Sequence, residues 1–312
     1  MTDPLQLAAR HGQWVLVAGL VCGLALPSLA AVMRPWLPVL VVVLLLVSLM
    51  RMRPRAILGS LRELPRVAGT ALALQLAAPL VVLGVAAAMG AADSPVTLAL
   101  VLMSAAPSIM GSPNISMMLG AAPDQAMRLL VTGTALLPLT VLPVFALGPA
   151  LQGADAVAGA ALRLLVTVGV TAAAAIAVRR LFLRDPSPEA QARLDGVSAI
   201  ALAVFVIGLM PQVSILALSD PAELAFWAAI AFAANLGAQV TVWRITRNHL
   251  PRDIALPLSL IAGNRNIALF LVSLPPEVTA PIMAFIGCYQ LPMYLTPILM
   301  RRLYGRPEKP RV

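Results

Sequence analysis

Two polar stretches stand inside long apolar runs of the chain. One reads Gly111-Ser112-Pro113-Asn114-Ile115, the other Gly263-Asn264-Arg265-Asn266-Ile267. Both carry the pattern G-x-x-N-I. Each is followed, at nearly the same distance, by Leu-Pro and a further proline: Leu137-Pro138 with Pro143, and Leu291-Pro292 with Pro297. The groups on offer are amides, the Ser112 hydroxyl, one guanidinium and freed backbone atoms. These can hold an ion or a small polar molecule; none is a nucleophile beside a base. Pro113 lacks an amide hydrogen and frees a carbonyl one turn back. Gly111 and Gly263 let the backbone leave helical angles. Asn114 and Asn266 can each donate to a freed carbonyl and accept from a freed amide.

Arg265 lies 12 residues after Asp253 and 10 before Pro275, roughly 15 Å of helix from either end. An arginine stem cannot carry its charge that far to the headgroups. The guanidinium must meet freed carbonyls, a polar cavity or an anion, and the carbonyl and anion readings both stand. Gln75, in Leu74-Gln75-Leu76-Ala77-Ala78-Pro79, and Asn235, in Ala234-Asn235-Leu236-Gly237, are lone amides in the runs just before the two broken ones. Hydrogen bonding between helices explains each equally well. Thr132, Thr134 and Thr140 are weaker candidates, because a threonine in an apolar helix commonly bonds its own backbone.

The elements that must position these residues are membrane helices. Sixty per cent of residues are hydrophobic, 11% are charged and the mean hydropathy is +0.92, which no soluble domain of this length shows. Apolar runs fall near 14–30, 36–50, 69–90, 96–112, 129–149, 157–178, 196–217, 224–243, 254–272 and 280–300, most of them approaching the ~20 residues that cross a bilayer. The first run lacks a strong basic n-region and reads as a span, not a cleaved signal. With the N-terminus in the cytoplasm and ten alternating spans, the inner segments hold nineteen of the 22 Lys and Arg residues. The outer loops hold Arg34 with Asp93, Asp155, Asp220, Glu223 and Glu277. That is a positive-inside pattern with both termini inside.

Five spans per half is an odd number, so the halves have opposite orientations. The expected architecture is an all-α membrane protein of ten transmembrane helices. It is an inverted 5+5 repeat, 1–150 and 151–312, forming one membrane domain, with the broken elements in spans 4 and 9. The basic stretch 179–193 is the linker. The net charge of +9 belongs to span ends, so no nucleic-acid partner is expected. Cys22 and Cys288 lie in apolar runs, which argues against a disulfide or zinc site. His11 and His249 lie at polar edges, away from any membrane proton relay.

The chain resembles the bile acid:sodium symporter family, within the larger group of arsenite and auxin carriers. The residues that carry the resemblance are Gln75 in span 3, the proline-led span 4 with Asn114, Asp124 and Ala126 after it, Pro138 in span 5, and Asn266 in span 9. It implies that the broken fourth and ninth helices cross, that sodium binds around the crossing, and that an organic anion binds beside it. Asn114 and Asn266 would be the crossover asparagines and Gln75 the span 3 glutamine. The departures are Pro113 in place of the family's serine before the asparagine, and Ile261 and Arg265 where the family has a glutamate and a glutamine. No Asp or Glu lies deep in any span.

The expected function is a secondary transporter of a small organic anion, working by alternating access with altered or no sodium coupling. An ordinary sodium-coupled symporter is the first alternative. A passive channel or membrane receptor on the same scaffold is an alternative of another class. An enzyme is not expected, for want of deep Asp, Glu or His. No cofactor and no metal site is expected; sodium fits the scaffold better than it fits the ligand set. Membrane lipid and the anion are the expected partners, and a homodimer is compatible with the sequence. The expected setting is the bacterial cytoplasmic membrane.

Overall fold

Prolines set the helix boundaries. The computed structural model describes residues 3–51, 64–148, 153–182 and 187–305. Pro4, Pro27, Pro95, Pro113, Pro123, Pro188, Pro221 and Pro276 all stand in a first helical turn, where the missing amide hydrogen costs nothing and φ is already right. Side-chain caps complete several starts: Ser94 accepts from Thr97 N, Ser187 from Ala190 N and Asp220 from Glu223 N.

The helices are α1 (Pro4–Arg10), α2 (Gly12–Ala25), α3 (Pro27–Met33), α4 (Leu37–Arg51), α5 (Leu64–Leu72), α6 (Ala78–Ala88), α7 (Pro95–Ala105), α8 (Ser112–Met118), α9 (Pro123–Leu147), α10 (Ala154–Phe182), α11 (Pro188–Ser219), α12 (Pro221–Thr246), α13 (Arg252–Gly263), α14 (Phe270–Ser273), α15 (Pro276–Thr279), α16 (Met283–Leu299) and α17 (Arg301–Tyr304). A π-helical turn, Ala73–Ala77, joins α5 to α6. Among the described residues no strand forms; one isolated antiparallel bridge joins Ser108 and Arg265.

Seven stretches among the described residues are long and apolar enough to cross a membrane: Pro27–Met50, Leu64–Ala88, Pro123–Leu147, Ala154–Phe182, Pro188–Ser219, Pro221–Thr246 and Pro276–Leu299. The chain is therefore an all-helical integral membrane protein. The runs expected near 96–112 and 254–272 are each broken into short helices. The run expected at 14–30 ends at Ala25, because Pro27 opens the next helix. α1 meets the following helix at 91°. The expected boundary at residues 150–151, the linker residues Arg184 and Pro186, and Arg53, Arg55, Arg62, Arg306, Lys309 and Arg311 lie outside the described residues.

Packing divides the helices into two sets. α1 to α4 pack on α11, and α4 also packs on α10. α12 packs on α13 and α16, while α9 packs on α5 and α8, and α6 on α7. The sets touch where α10 meets α9 and α14, where α4 meets α14, and where α11 meets α12 and α16; α10 packs on α9 as closely as on α4. The largest apolar core runs across this boundary, from Leu37, Val41 and Leu164 to Phe145, Phe270 and Phe285.

Candidate functional site

The two breaks meet each other. α7 ends at Ala105 and the chain runs extended through Ala106; α13 ends at Gly263 and runs extended through Asn264. Ile109 N donates to Asn264 O at 3.1 Å, and Asn266 N donates to Pro107 O at 2.8 Å. These bonds flank the Ser108–Arg265 bridge and exchange with one another about a local two-fold. Backbone groups freed in one break are thus satisfied by the other, as an apolar interior requires.

Arg265 closes the crossing. Its side chain is buried, with 2% of the residue exposed. Nε donates to Ala262 O at 3.2 Å, Nη1 to Ala106 O at 3.0 Å and Nη2 to Leu74 O at 3.1 Å. Ala262 and Ala106 lie at the C-terminal ends of α13 and α7, where unsatisfied carbonyls carry partial negative charge. Leu74 has a different origin. In the π-helical turn Ala78 N bonds Ala73 O, and the donor five residues on from Leu74 would be Pro79, which has no N–H. A cation meets three carbonyls from three segments. Of the two readings open from sequence, the carbonyl one describes this conformation.

Carbonyls at two other helix ends also receive arginines. Arg252 Nη2 donates to Leu119 O at 2.9 Å, just past the end of α8. Arg179 Nη1 donates to Met50 O at 2.9 Å, near the end of α4.

On the second-half side a buried polar network fixes the break. Asn235 is fully buried; its Nδ2 donates to Gly263 O and, at 3.4 Å, to Asn264 Oδ1. Gln239 Nε2 donates to Asn235 Oδ1 at 2.8 Å and to Thr296 Oγ1 at 3.3 Å, and Gln239 Oε1 accepts from Tyr304 Oη at 2.9 Å. Thr296 Oγ1 donates to Asn264 Oδ1 at 3.2 Å, while Asn264 Nδ2 donates to Leu260 O at 2.9 Å. Tyr289 Oη donates to Gly263 O and accepts from Arg265 N. Asn235 therefore makes the interhelical bonds that one of its two sequence readings proposed. Ser259 Oγ joins this network, donating to Gln239 O at 2.7 Å, and neither it nor Gln239, Thr296, Tyr289 or Tyr304 stands out in the sequence. Their signal is the spacing of Gln239 one turn after Asn235, and the polar side chains of an otherwise apolar α16.

The first-half side is less satisfied. Gln75 is 2% exposed inside the π turn, and its Oε1 has no hydrogen-bond partner; nor does the Oγ of fully buried Ser116. Ser112 is buried and accepts from Ser108 at 2.7 Å. Thr134 bonds Leu130 O in its own helix at 2.7 Å, as a structural threonine does, and Thr132 is half-buried.

Three expectations about the breaks need correction. Pro113 does not break a helix; it begins α8, and Pro107 stands in the break itself. Gly111 holds ordinary helical angles, φ −80° and ψ −7°, so its freedom is unused. Gly263 is helical as well, and its need is space: a Cβ there would overlap the Asn235 carbonyl oxygen and lie 2.6 Å from Gln239 Cγ. The shared motif also misleads in register. It equates Arg265 with Pro113, whereas the backbone pairs Arg265 with Ser108. Asn266 lies half-buried in its break, but Asn114 is exposed on α8 and does not hold the first break.

No protein-family model matches the chain, and no curated protein is significantly similar to it.

Proposed function

We propose that the chain is a secondary transporter of a small organic anion, and that Arg265 is a tethered cation which removes the need for a dissociable one. The observation that carries this is the buried guanidinium bonded to three carbonyls at the meeting of two broken helices. Discontinuous helices enclosed by protein are the usual material of membrane transport sites. Among the described residues no carboxylate contacts Arg265, so its charge leaves a positive field at the crossing. In a low-dielectric setting that field favours an anion bound nearby without direct contact.

The finer architecture belongs to the same proposal. The seven long helices, together with Gly12–Ala25 and the broken pairs α7–α8 and α13–α14, make ten spans. The reciprocal backbone bonds at the crossing support an inverted repeat of two halves, and the arginine-rich span ends in the sequence favour cytoplasmic termini. The groups at the crossing bind; they do not pair a nucleophile with a base, and we read no enzyme here. The resemblance to the bile acid:sodium symporter family supports the scaffold, while Ile261 and Arg265 argue against its sodium coupling.

Flux into proteoliposomes tests the reading. A panel of radiolabelled mono- and dicarboxylates should include one whose uptake saturates and shows counterflow. Uptake that rises linearly with concentration and shows no counterflow would instead indicate a channel.

A further inference from the structure

We infer that Tyr304, in the last helical turn among the described residues, is a positioning residue for the crossing: its hydroxyl proton acts, through two buried amides, on the carbonyl of Gly263. The requirement is set at that carbonyl and runs outward. Gly263 O can only accept, so Asn235 must present Nδ2 to it, as it does. A side-chain amide has one donor end and one acceptor end. Asn235 Oδ1 is thereby turned toward Gln239 and accepts from its Nε2 at 2.8 Å. Gln239 Oε1 then needs a donor of its own, and Tyr304 Oη supplies it at 2.9 Å. The neighbouring hydroxyls are committed elsewhere. Ser259 Oγ, 2.8 Å from Tyr304 Oη, gives its proton to Gln239 O at 2.7 Å. Thr296 Oγ1 donates to Pro292 O at 2.8 Å and to Asn264 Oδ1 at 3.2 Å. One proton on Tyr304 therefore fixes the direction of two amides and, through them, the donor that reaches the end of α13.

The surrounding chain holds Tyr304 in place for this role. α17 is a single turn, too short to persist by itself. Arg252 donates to Tyr304 O and, at 3.5 Å, to Gly305 O. Trp243 packs at right angles to the Tyr304 ring, with centroids 5.1 Å apart. Tyr304 is 1% exposed, and Gln239 and Asn235 are fully buried. Without the hydroxyl, Gln239 Oε1 is left unsatisfied, a cost that turning the amide around would relieve. Turning Gln239 also turns Asn235, whose Oδ1 would then face Gly263 O, acceptor against acceptor. The carbonyl would keep Tyr289 and lose α12. The inference rests on the transporter reading above in treating the crossing as a transport site; the relay itself does not depend on flux.

The test is hydrogen–deuterium exchange of the full chain in detergent, read peptide by peptide in the mass spectrometer. Tyr304→Phe keeps the ring against Trp243 and removes the hydroxyl alone. It should speed exchange about tenfold across residues 260–268, as loss of one buried hydrogen bond shifts a local opening equilibrium, and leave residues 221–231 of α12 at the parent rate. Gln239→Met should have the same local effect. The double variant should exchange no faster than Gln239→Met, because the relay is already cut. If Tyr304→Phe does not fold, Gln239→Met carries the comparison between the two stretches. Faster exchange confined to residues 301–305, an equal rise throughout the chain, or effects that add in the double variant would overturn the relay. Anion flux in the unaltered protein separates the two failures. Absent flux counts against the transporter reading, whereas normal flux with unchanged exchange at 260–268 counts against the relay alone.

Discussion

Replacing Arg265 by Met should destabilise the protein more than any other single polar substitution at the crossing. The guanidinium donates to Ala262 O, Ala106 O and Leu74 O. Each buried carbonyl left without a donor costs roughly 1–3 kcal/mol, so three give a gross loss of about 3–9 kcal/mol. Against this, a buried cation carries a desolvation penalty of several kcal/mol, which Met removes. The Ala106 and Ala262 carbonyls end helices and can shift toward other donors. The Leu74 carbonyl sits in a π turn with Pro79 after it and cannot. A net loss of about 2–5 kcal/mol follows, equivalent to roughly 3–8 °C in apparent Tm for a chain of this length. Arg265→Lys should fall between, since an ammonium can reach one or two carbonyls but lacks the planar fork that serves three. The assay is thermal unfolding in detergent, followed by the near-ultraviolet circular dichroism of buried Trp227 and Trp243. A Met variant that melts within about 1 °C of the unaltered protein would refute the claim that Arg265 satisfies those carbonyls.

Gly263→Ala should cost about 1–3 kcal/mol, because its methyl group must push α13 off the Asn235 backbone; chemical denaturation against Gly237→Ala, where a Cβ meets nothing within 4 Å, provides the control. Asn235→Leu should destabilise by a similar amount by leaving Gly263 O with fewer donors, read by the same unfolding curves. Asn114→Ala should lie within about 0.5 kcal/mol of the parent, since the side chain is exposed and the break is held by backbone bonds instead. Reporter fusions at Ala92, Asp155, Asp220 and Glu277 should read outside and at His249 inside; a reversal confined to the second half would remove the inverted repeat.

Much of the scaffold is legible in the sequence because lipid leaves few alternatives. Apolar length marks the seven long spans among the described residues. The two breaks are legible too, since polar residues at that depth must be enclosed. Their geometry is less so. G-x-x-N-I matches Gly111 to Gly263, yet the backbone pairs Ser108 with Arg265. A five-residue motif in a low-diversity apolar chain fixes a neighbourhood, whereas the pairing is decided by which carbonyls two helix ends leave free. Pro113 and Gly111 read as breakers by propensity, but proline is at home in a first turn, and the first break lies just before them. Gly263 reads as a site of conformational freedom, yet its cause is contact with Asn235, a partner 28 residues away that no local pattern reveals. Gln239, Tyr289 and Thr296 are illegible for the same reason: each looks like an isolated polar residue until three helices bring them together.

The most direct test of the central claim is anion uptake into proteoliposomes under an inward sodium gradient, compared with potassium and with choline at matched membrane potential. A tethered guanidinium cannot dissociate in each cycle, so it cannot couple transport to sodium. The account predicts equal initial rates in all three media. Uptake that requires sodium would contradict it and restore a dissociable cation to the crossing.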